Sequence, residues 1–347
     1  MNRKQRQLLL VASACLGGML LFVQQSPGVE RFTEHARQAG EAGRSFAFAD
    51  PFKALTRQVW REDAGDTRSQ ALAYLRAEAE KRNVPAVNAK IDPVWKALPG
   101  YNGIEVDIDR SLAAAEAQSF RQPLPIVLRE VPPQIGLDQL GPHPIYKGNP
   151  HKRMVGLMIN VAWGDEYITP MLNTLEKEGV RATFFLDGKW LSKNVETAKK
   201  IAERGHELGN HAYSHKNMSK LSREQNTAEI TKTEQLLKEA GVTNKLFAPP
   251  SGDFNQTTVE VAHELKLRTI LWTLDTIDWK KPEPASIVRK VTTRVEPGSL
   301  ILMHPTPSSS EALAGMIHAI KSKGLRLGTV SEVISADRIP EVESKGQ

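Results

Sequence analysis

Two textures divide the 347-residue chain. From Met154 onward, short apolar, β-rich runs alternate with stretches whose apolar positions recur at helical spacing. The runs predict strands at Val155–Val161, Ala182–Leu186, Glu207–Asn210, Lys245–Ala248, Thr269–Leu274, Leu300–Met303 and Arg326–Val330. The amphipathic stretches between them predict helices at Thr169–Glu178, Asn194–Arg204, Ser222–Ala240, Gln256–Leu265, Ala285–Val295 and Ser310–Lys323. Such alternation implies a parallel sheet covered by helices, an α/β class. Fewer than 190 residues are spent on it, short of the ~250 of a full eightfold barrel. A distorted (β/α)7-type barrel is expected.

The pattern before that domain is different. Arg3, Lys4 and Arg6 precede an uninterrupted apolar run from Leu8 to Val23, followed by Gln24-Gln25-Ser26-Pro27 with no small-x-small cleavage site. Residues 1–26 therefore read as an uncleaved signal-anchor helix, with the basic end in the cytoplasm and the remainder outside. Residues 27–65 are weakly patterned and read as a tether. Helical spacing over Asp66–Arg82, a short strand at Ile104–Ile108, an Ala-rich helix capped by Asp109 and a strand at Pro125–Arg129 predict a small α+β module at 66–130. Pro132-Pro133, Pro142, Pro144 and Pro150 mark a linker at 131–150. The barrel domain is assigned to 151–340 and a tail to 341–347.

Composition narrows the function class. The net charge is +6, but the basic residues are spread through the chain, with no block interleaved with aromatics. That pattern argues against nucleic acid as a partner and suits a solvated basic surface. The single cysteine, Cys15, excludes an intramolecular disulfide framework and a cysteine-based zinc site. An exported chain without paired cysteines fits a bacterial envelope. Oligomeric state has no signature in the sequence.

In a barrel of this kind the chemistry sits where strands end. Asn160 ends the first predicted strand, and His211 and His215 follow the third. Pro249-Pro250-Ser251-Gly252 follows the fourth, Asp275 and Asp278-Trp279 the fifth, and His304 ends the sixth. Two histidines four residues apart can aim both imidazoles at one divalent metal. Carboxylates and a separate histidine at neighbouring strand ends add an acid/base set. The remaining histidines (35, 143, 151, 206, 263 and 318) read as structural or exposed.

These residues resemble the polysaccharide deacetylase family with the NodB homology domain, carbohydrate esterase family 4. The resemblance runs from about Val155 to Ile334 and keeps the family's motif order. Leu157–Ala162 stands at Thr-Phe-Asp-Asp-Gly, and Ala182–Gly188 at the second strand. Gly209–His215 stands at the metal motif and Phe247–Gly252 at the Arg-x-Pro-x-Gly loop. Trp272–Trp279 stands at Asp-x-x-Asp-Trp, and Leu302-Met303-His304 at Leu-x-His. The stretch Asn160–Tyr167, with Ile91–Gly103 ahead of it, looks like the YlxY branch of Gram-positive spore formers.

The resemblance implies an N-deacetylase acting on N-acetylglucosamine-containing glycan such as peptidoglycan, with a divalent metal, usually zinc. It places catalytic positions at His304, Asp275, Asp278 and Asn160, and metal ligands at His211 and His215. It places glycan contacts at Trp279, Pro250 and Tyr213. Three positions depart from the family. Asn160 stands where the base aspartate should be, Val161 where the carboxylate ligand should be, and Ala248 where an arginine pairs with the base. Asn cannot take a proton from water at neutral pH, and Val cannot bind metal. Asp165, or its neighbour Glu166, is the candidate substitute ligand. Two functions follow from this: an unconventional metal-assisted deacetylase, or a catalytically silent, membrane-anchored wall-binding protein.

Overall fold

The computed structural model describes residues 51–339, with side chains from residue 67 onward. The expected anchor at 1–26 and tail at 341–347 lie outside the described residues. Among the described residues, no helix is long and apolar enough to cross a membrane.

The described chain falls into two compact units. The first holds the chain up to Glu78 and Asp107–Val127. It contains most of helix α1 (Pro51–Arg82) and all of α2 (Ile108–Ala117). Ala71 and Leu75 of α1 bury against Leu112, Ala115 and Leu124. Asp107, rather than the expected Asp109, caps α2, its side chain accepting from Arg110 N at 3.0 Å. Asp109 instead lies in the first turn, where a carboxylate favours the helix dipole.

The second unit comprises Ala79–Val106 and the chain from Leu128 on. It contains two antiparallel pairs: β1 (Lys90–Asp92) with β2 (Lys96–Leu98), and β3 (Gly103–Val106) with β4 (Leu128–Val131). These four strands fall in the same unit as the barrel, while α2 and most of α1 make up the other. The Pro-rich stretch at 131–150 is no free linker. Ile145 bridges to Ile270 and Lys147 to Ser299, so these residues lie along the barrel's own edge.

The barrel is an eight-stranded parallel sheet. Its strands are β5 (Met154–Val161), β6 (Thr183–Leu186), β7 (Glu207–Asn210), β8 (Leu246–Phe247), β9 (Arg268–Thr269), β10 (Leu274–Asp275), β11 (Leu300–Met303) and β12 (Arg326–Gly328). They run in the order β10-β11-β5-β6-β7-β8-β9, with β12 also on β5. The single strand expected at Thr269–Leu274 is two short ones at opposite ends of this order, so the sheet curls without closing. Ile145 fills part of the gap, accepting from Leu271 N at 2.8 Å and donating to Thr269 O at 2.9 Å.

All eight residues of β5 are buried, as a central strand covered on both faces requires. Its odd positions, Val155, Leu157, Ile159 and Val161, enter the layer shared with the helices α3 (Asp165–Lys177) and α9 (Pro307–Ser322). Its even positions Met154 and Met158 pack inside the curl with Phe185, Ala248 and Ile270. Each such side chain contributes roughly 1.5–3 kcal/mol on burial.

Two features set the loops at the mouth. Helix α3 begins at Asp165, four residues before the expected start, with Asp165 and Glu166 in its first turn. Gly164 precedes it at φ +85°, and a Cβ there would lie 2.0 Å from Pro305 O. Only glycine lets the loop after β5 touch the loop after β11.

Candidate functional site

The mouth is built from the C-terminal ends of β5, β6, β7, β8 and β11. Strand β7 ends in register with Leu186 and Phe247 through Asn210, and the chain then turns sharply, with Ala212 at φ +56° and His215 at φ +53°. The turn is held from behind. Asn210 Oδ1 accepts from Ala212 N at 2.8 Å, and its amide donates to Ile230 O at 2.9 Å. Glu229, buried on helix α6 (Arg223–Glu239), accepts from Tyr213 N at 3.1 Å, Ser214 N at 2.8 Å and Ser214 Oγ at 2.7 Å. Burial pushes the Glu229 carboxyl up, but the bonds from Ser214 and the charge of Lys216 outweigh it and leave it below the ordinary range.

That loop brings the His211 and His215 rings to 5.2 Å between centroids, nearly perpendicular at 72°. His211 is 1% exposed, and its Nδ1 lies 2.7 Å from Ala248 O. A carbonyl can only accept, so Nδ1 carries the proton and Nε2 keeps a lone pair. Burial, with the neighbouring His215 adding to it, pushes the His211 pKa down to about 3. The imidazole is neutral, as a metal ligand must be.

The second part centres on His304. Asp278, fully buried, accepts from His304 N at 2.6 Å and meets its Nδ1 at 2.8 Å. Ser309 Oγ bonds the same carboxylate from the start of α9. Asp278 thus fixes the ring and leaves Nε2 for a ligand, the arrangement of an acid/base histidine held by a carboxylate. Trp163, from the loop after β5, stacks on His304 at 5.4 Å and 15° and meets His215 edge-on at 6.3 Å.

Other expected residues lie elsewhere or do other work. Asp275 closes a turn, accepting from Ile277 N at 2.8 Å. The Tyr213 ring stands 5.3 Å from Lys232 Nζ and packs over Gly188, toward helix α6. Pro250 is buried in the turn Pro250–Gly252. Trp279 is exposed at the mouth's edge, with Lys280 Nζ 4.9 Å from its ring. The Asp165 carboxylate is held by Trp190 Nε1 at the start of α3. His206, expected to be structural, is buried, its Nδ1 accepting from Ala182 N at 3.2 Å.

Three residues at or behind the mouth carried no sequence signal that singled them out: Trp163, Glu229 and Asp187. Asp187 follows β6. Its N–H donates to Val161 O at 2.9 Å, and its Oδ1 caps helix α4 (Gly188–Leu191) through Trp190 N at 3.0 Å. Its Oδ2 is buried without a partner, and burial raises its pKa although His215 and Lys189 oppose the shift.

The metal that the motif implies can be tested against these residues. His211 and His215 supply two imidazole rings 5.2 Å apart, the ligand type a late first-row metal takes. The third ligand is missing: Val161 points into the apolar layer with Ile168 and Trp190, and Asp165 is committed to the Trp190 indole. Among the described residues, no three His, Cys, Asp or Glu side chains are grouped to share one ion. A catalytic zinc centre uses three protein ligands, so the set falls one short. The expected Asp165 ligand is not delivered because the helix starts at that residue and turns it to the indole.

Comparison with known proteins agrees with this geometry. The polysaccharide deacetylase family profile matches residues 147–270. The uncharacterized protein YlxY of Bacillus subtilis is 46% identical over 76% of this chain and 82% of its own length. A peptidoglycan-N-acetylglucosamine deacetylase of Bacillus cereus is 33% identical over 56% of this chain and 72% of its own. Among solved structures, a CE4 family pseudoenzyme from Bacillus anthracis superposes with a TM-score of 0.70 at 41% identity, covering 77% of this chain and 96% of that one. A mutant of that pseudoenzyme with restored enzymatic activity matches equally well, at 40% identity. With its motif order, its parallel curled sheet and these relatives, the chain belongs to the polysaccharide deacetylase family, carbohydrate esterase family 4.

Proposed function

We propose that this chain is an extracytoplasmic, wall-facing member of its family that holds peptidoglycan-like glycan at the barrel mouth without hydrolysing it by the metal-assisted route. The observation that carries the reading is the end of β5. Asn160 is 3% exposed with an unpartnered Oδ1, and Val161 is fully buried among apolar side chains. Where the family places a base and a ligand, this strand supplies neither. Loss of a positioned base alone lowers a rate by about 10²–10⁴. What survives is a binding set: the Asp278-held His304, the neutral His211, and the exposed rings of Trp163 and Trp279 at 44% and 53%. Aromatic faces of that kind suit sugar rings. The peptidoglycan deacetylase among the relatives supports a wall glycan as ligand, and the Bacillus anthracis pseudoenzyme supports the silent centre. The basic, apolar N-terminus would tether the barrel to the outer face of the membrane.

The test is paired. Acetate release from peptidoglycan and chitooligosaccharides, with zinc added, is expected below detection, while the same glycans are retained in a binding assay. Release of acetate that His211→Ala abolishes would overturn the silent reading. Absence of both release and binding would overturn the glycan itself.

A further inference from the structure

A cleft of about 510 Å³ opens beside His215, and Trp163, Glu166, Asp187, Lys189 and Lys193 are among its lining residues. Asp187 is 4% exposed, and while its Oδ1 serves the cap of α4, its Oδ2 bonds nothing. A buried carboxylate oxygen without a donor is costly. The molecule leaves it so at the wall of this cleft, one residue past the strand that pairs with Val161.

We propose that this cleft takes the free amine of a de-N-acetylated amino sugar, a glucosaminium unit of wall glycan, with Asp187 as its counter-ion. This rests on the glycan-binding reading and adds which glycan. An ammonium carries three donors and no acceptor, the complement of a lone acceptor oxygen. A metal ion would need two further ligands converging with Asp187, and among the described residues no such triad exists. Glu166 and the indole-bonded Asp165 add carboxylates to the cleft wall, and Trp163 offers an exposed face for the sugar ring and for the cation itself. In its active relatives a metal and an arginine would oppose an ammonium by the motif logic above. Here Val161 and Ala248 stand at those positions. Lys189 and Lys193 are the groups an acidic substituent would meet, and they supply the competing outcome.

The experiment is calorimetric titration of the whole protein, in chelator, with fully acetylated and fully de-N-acetylated glucosamine tetramers. The de-N-acetylated tetramer is expected to bind about tenfold or more tightly, as one charge-assisted hydrogen bond allows. Asp187→Asn should collapse that ratio toward one. Asparagine keeps the helix cap, and an unchanged thermal unfolding midpoint confirms the fold. Equal affinities, a ratio that survives Asp187→Asn, or tighter binding of an acetylated fragment bearing a lactyl carboxylate would overturn the proposal while leaving glycan binding intact. Zinc alone binding with an Asp187-dependent affinity would overturn it in favour of a metal. Binding of neither tetramer would sink the glycan reading as well.

Discussion

Asn160→Asp restores the residue type at the family's base position, and the structure says what that single change does. Asn160 is 3% exposed, with no hydrogen-bond partner for its Oδ1. The new carboxylate keeps the shape and adds a charge with no cation to meet it. Ala248 carries none, and His211 is neutral because burial lowers its pKa to about 3. An uncompensated buried charge costs about 3–5 kcal/mol, or the carboxyl takes up a proton instead. Its folded pKa then rises above the unfolded ~3.9. The sign follows: between those two values the unfolded chain has lost its proton and the folded chain has not, so stability falls as pH rises. At pH 4 the variant should be nearly as stable as the parent, and by pH 7 weaker by about 3 kcal/mol. Urea unfolding of both proteins at the two pH values measures this directly. Acetate release should stay below detection, because Val161 still supplies no ligand. A variant equally stable at both pH values would show that Asn160 has a charge partner. Recovered activity would show that the third ligand is not limiting.

Two further outcomes test the framework around the site. Glu229→Ala strips the acceptor from Tyr213 N and Ser214 N and should cost about 2–6 kcal/mol, from roughly 1–3 per buried N–H left unpaired; urea unfolding measures it, and NMR of the His215 ring should show a loosened loop. Burial lowers the His206 pKa to about 4, with Arg204 and Arg181 adding to it. Its contribution is therefore complete above the unfolded value near 6.5 and is lost as pH falls toward 4, at up to about 1.4 kcal/mol per pH unit. His206→Gln should flatten that part of the stability–pH curve, and a curve of unchanged slope would refute the assignment.

Much of the barrel was legible because its signals are local. Alternating apolar runs and amphipathic stretches placed β7 and β11 to the residue. Strand ends announced His211 and His304, each the first residue after its strand, and His215 and Asp278 within the next five residues. The split of Thr269–Leu274 was not legible. It depends on Ile145, more than a hundred residues earlier, entering the gap. The same bridges turned an apparent Pro-rich linker into a barrel edge, because proline marks where a chain bends and not what it bends against.

Side-chain direction was the other blind spot. Tyr213 lies two residues from His211, yet its ring faces Lys232. Asp165 lies within reach by counting, yet the helix begins at it and the Trp190 indole claims it. Glu229, which anchors the histidine loop, sits fourteen residues beyond His215 on a helix.

The sequence by itself determined which chemical groups exist here: two histidines in the metal motif, an Asp–His pair, and Asn, Val and Ala at the positions of base, ligand and arginine. Residue identity settles what a side chain can donate, accept or ligate, so what these positions lack was readable before any fold. Only the tertiary structure decided what those groups amount to. It sent Val161 into the apolar layer, committed Asp165 to an indole, laid Trp163 over His304, and left one oxygen of Asp187 buried and unbonded. Burial, direction and partner are properties of the packed surroundings, and strands distant in the chain supply them.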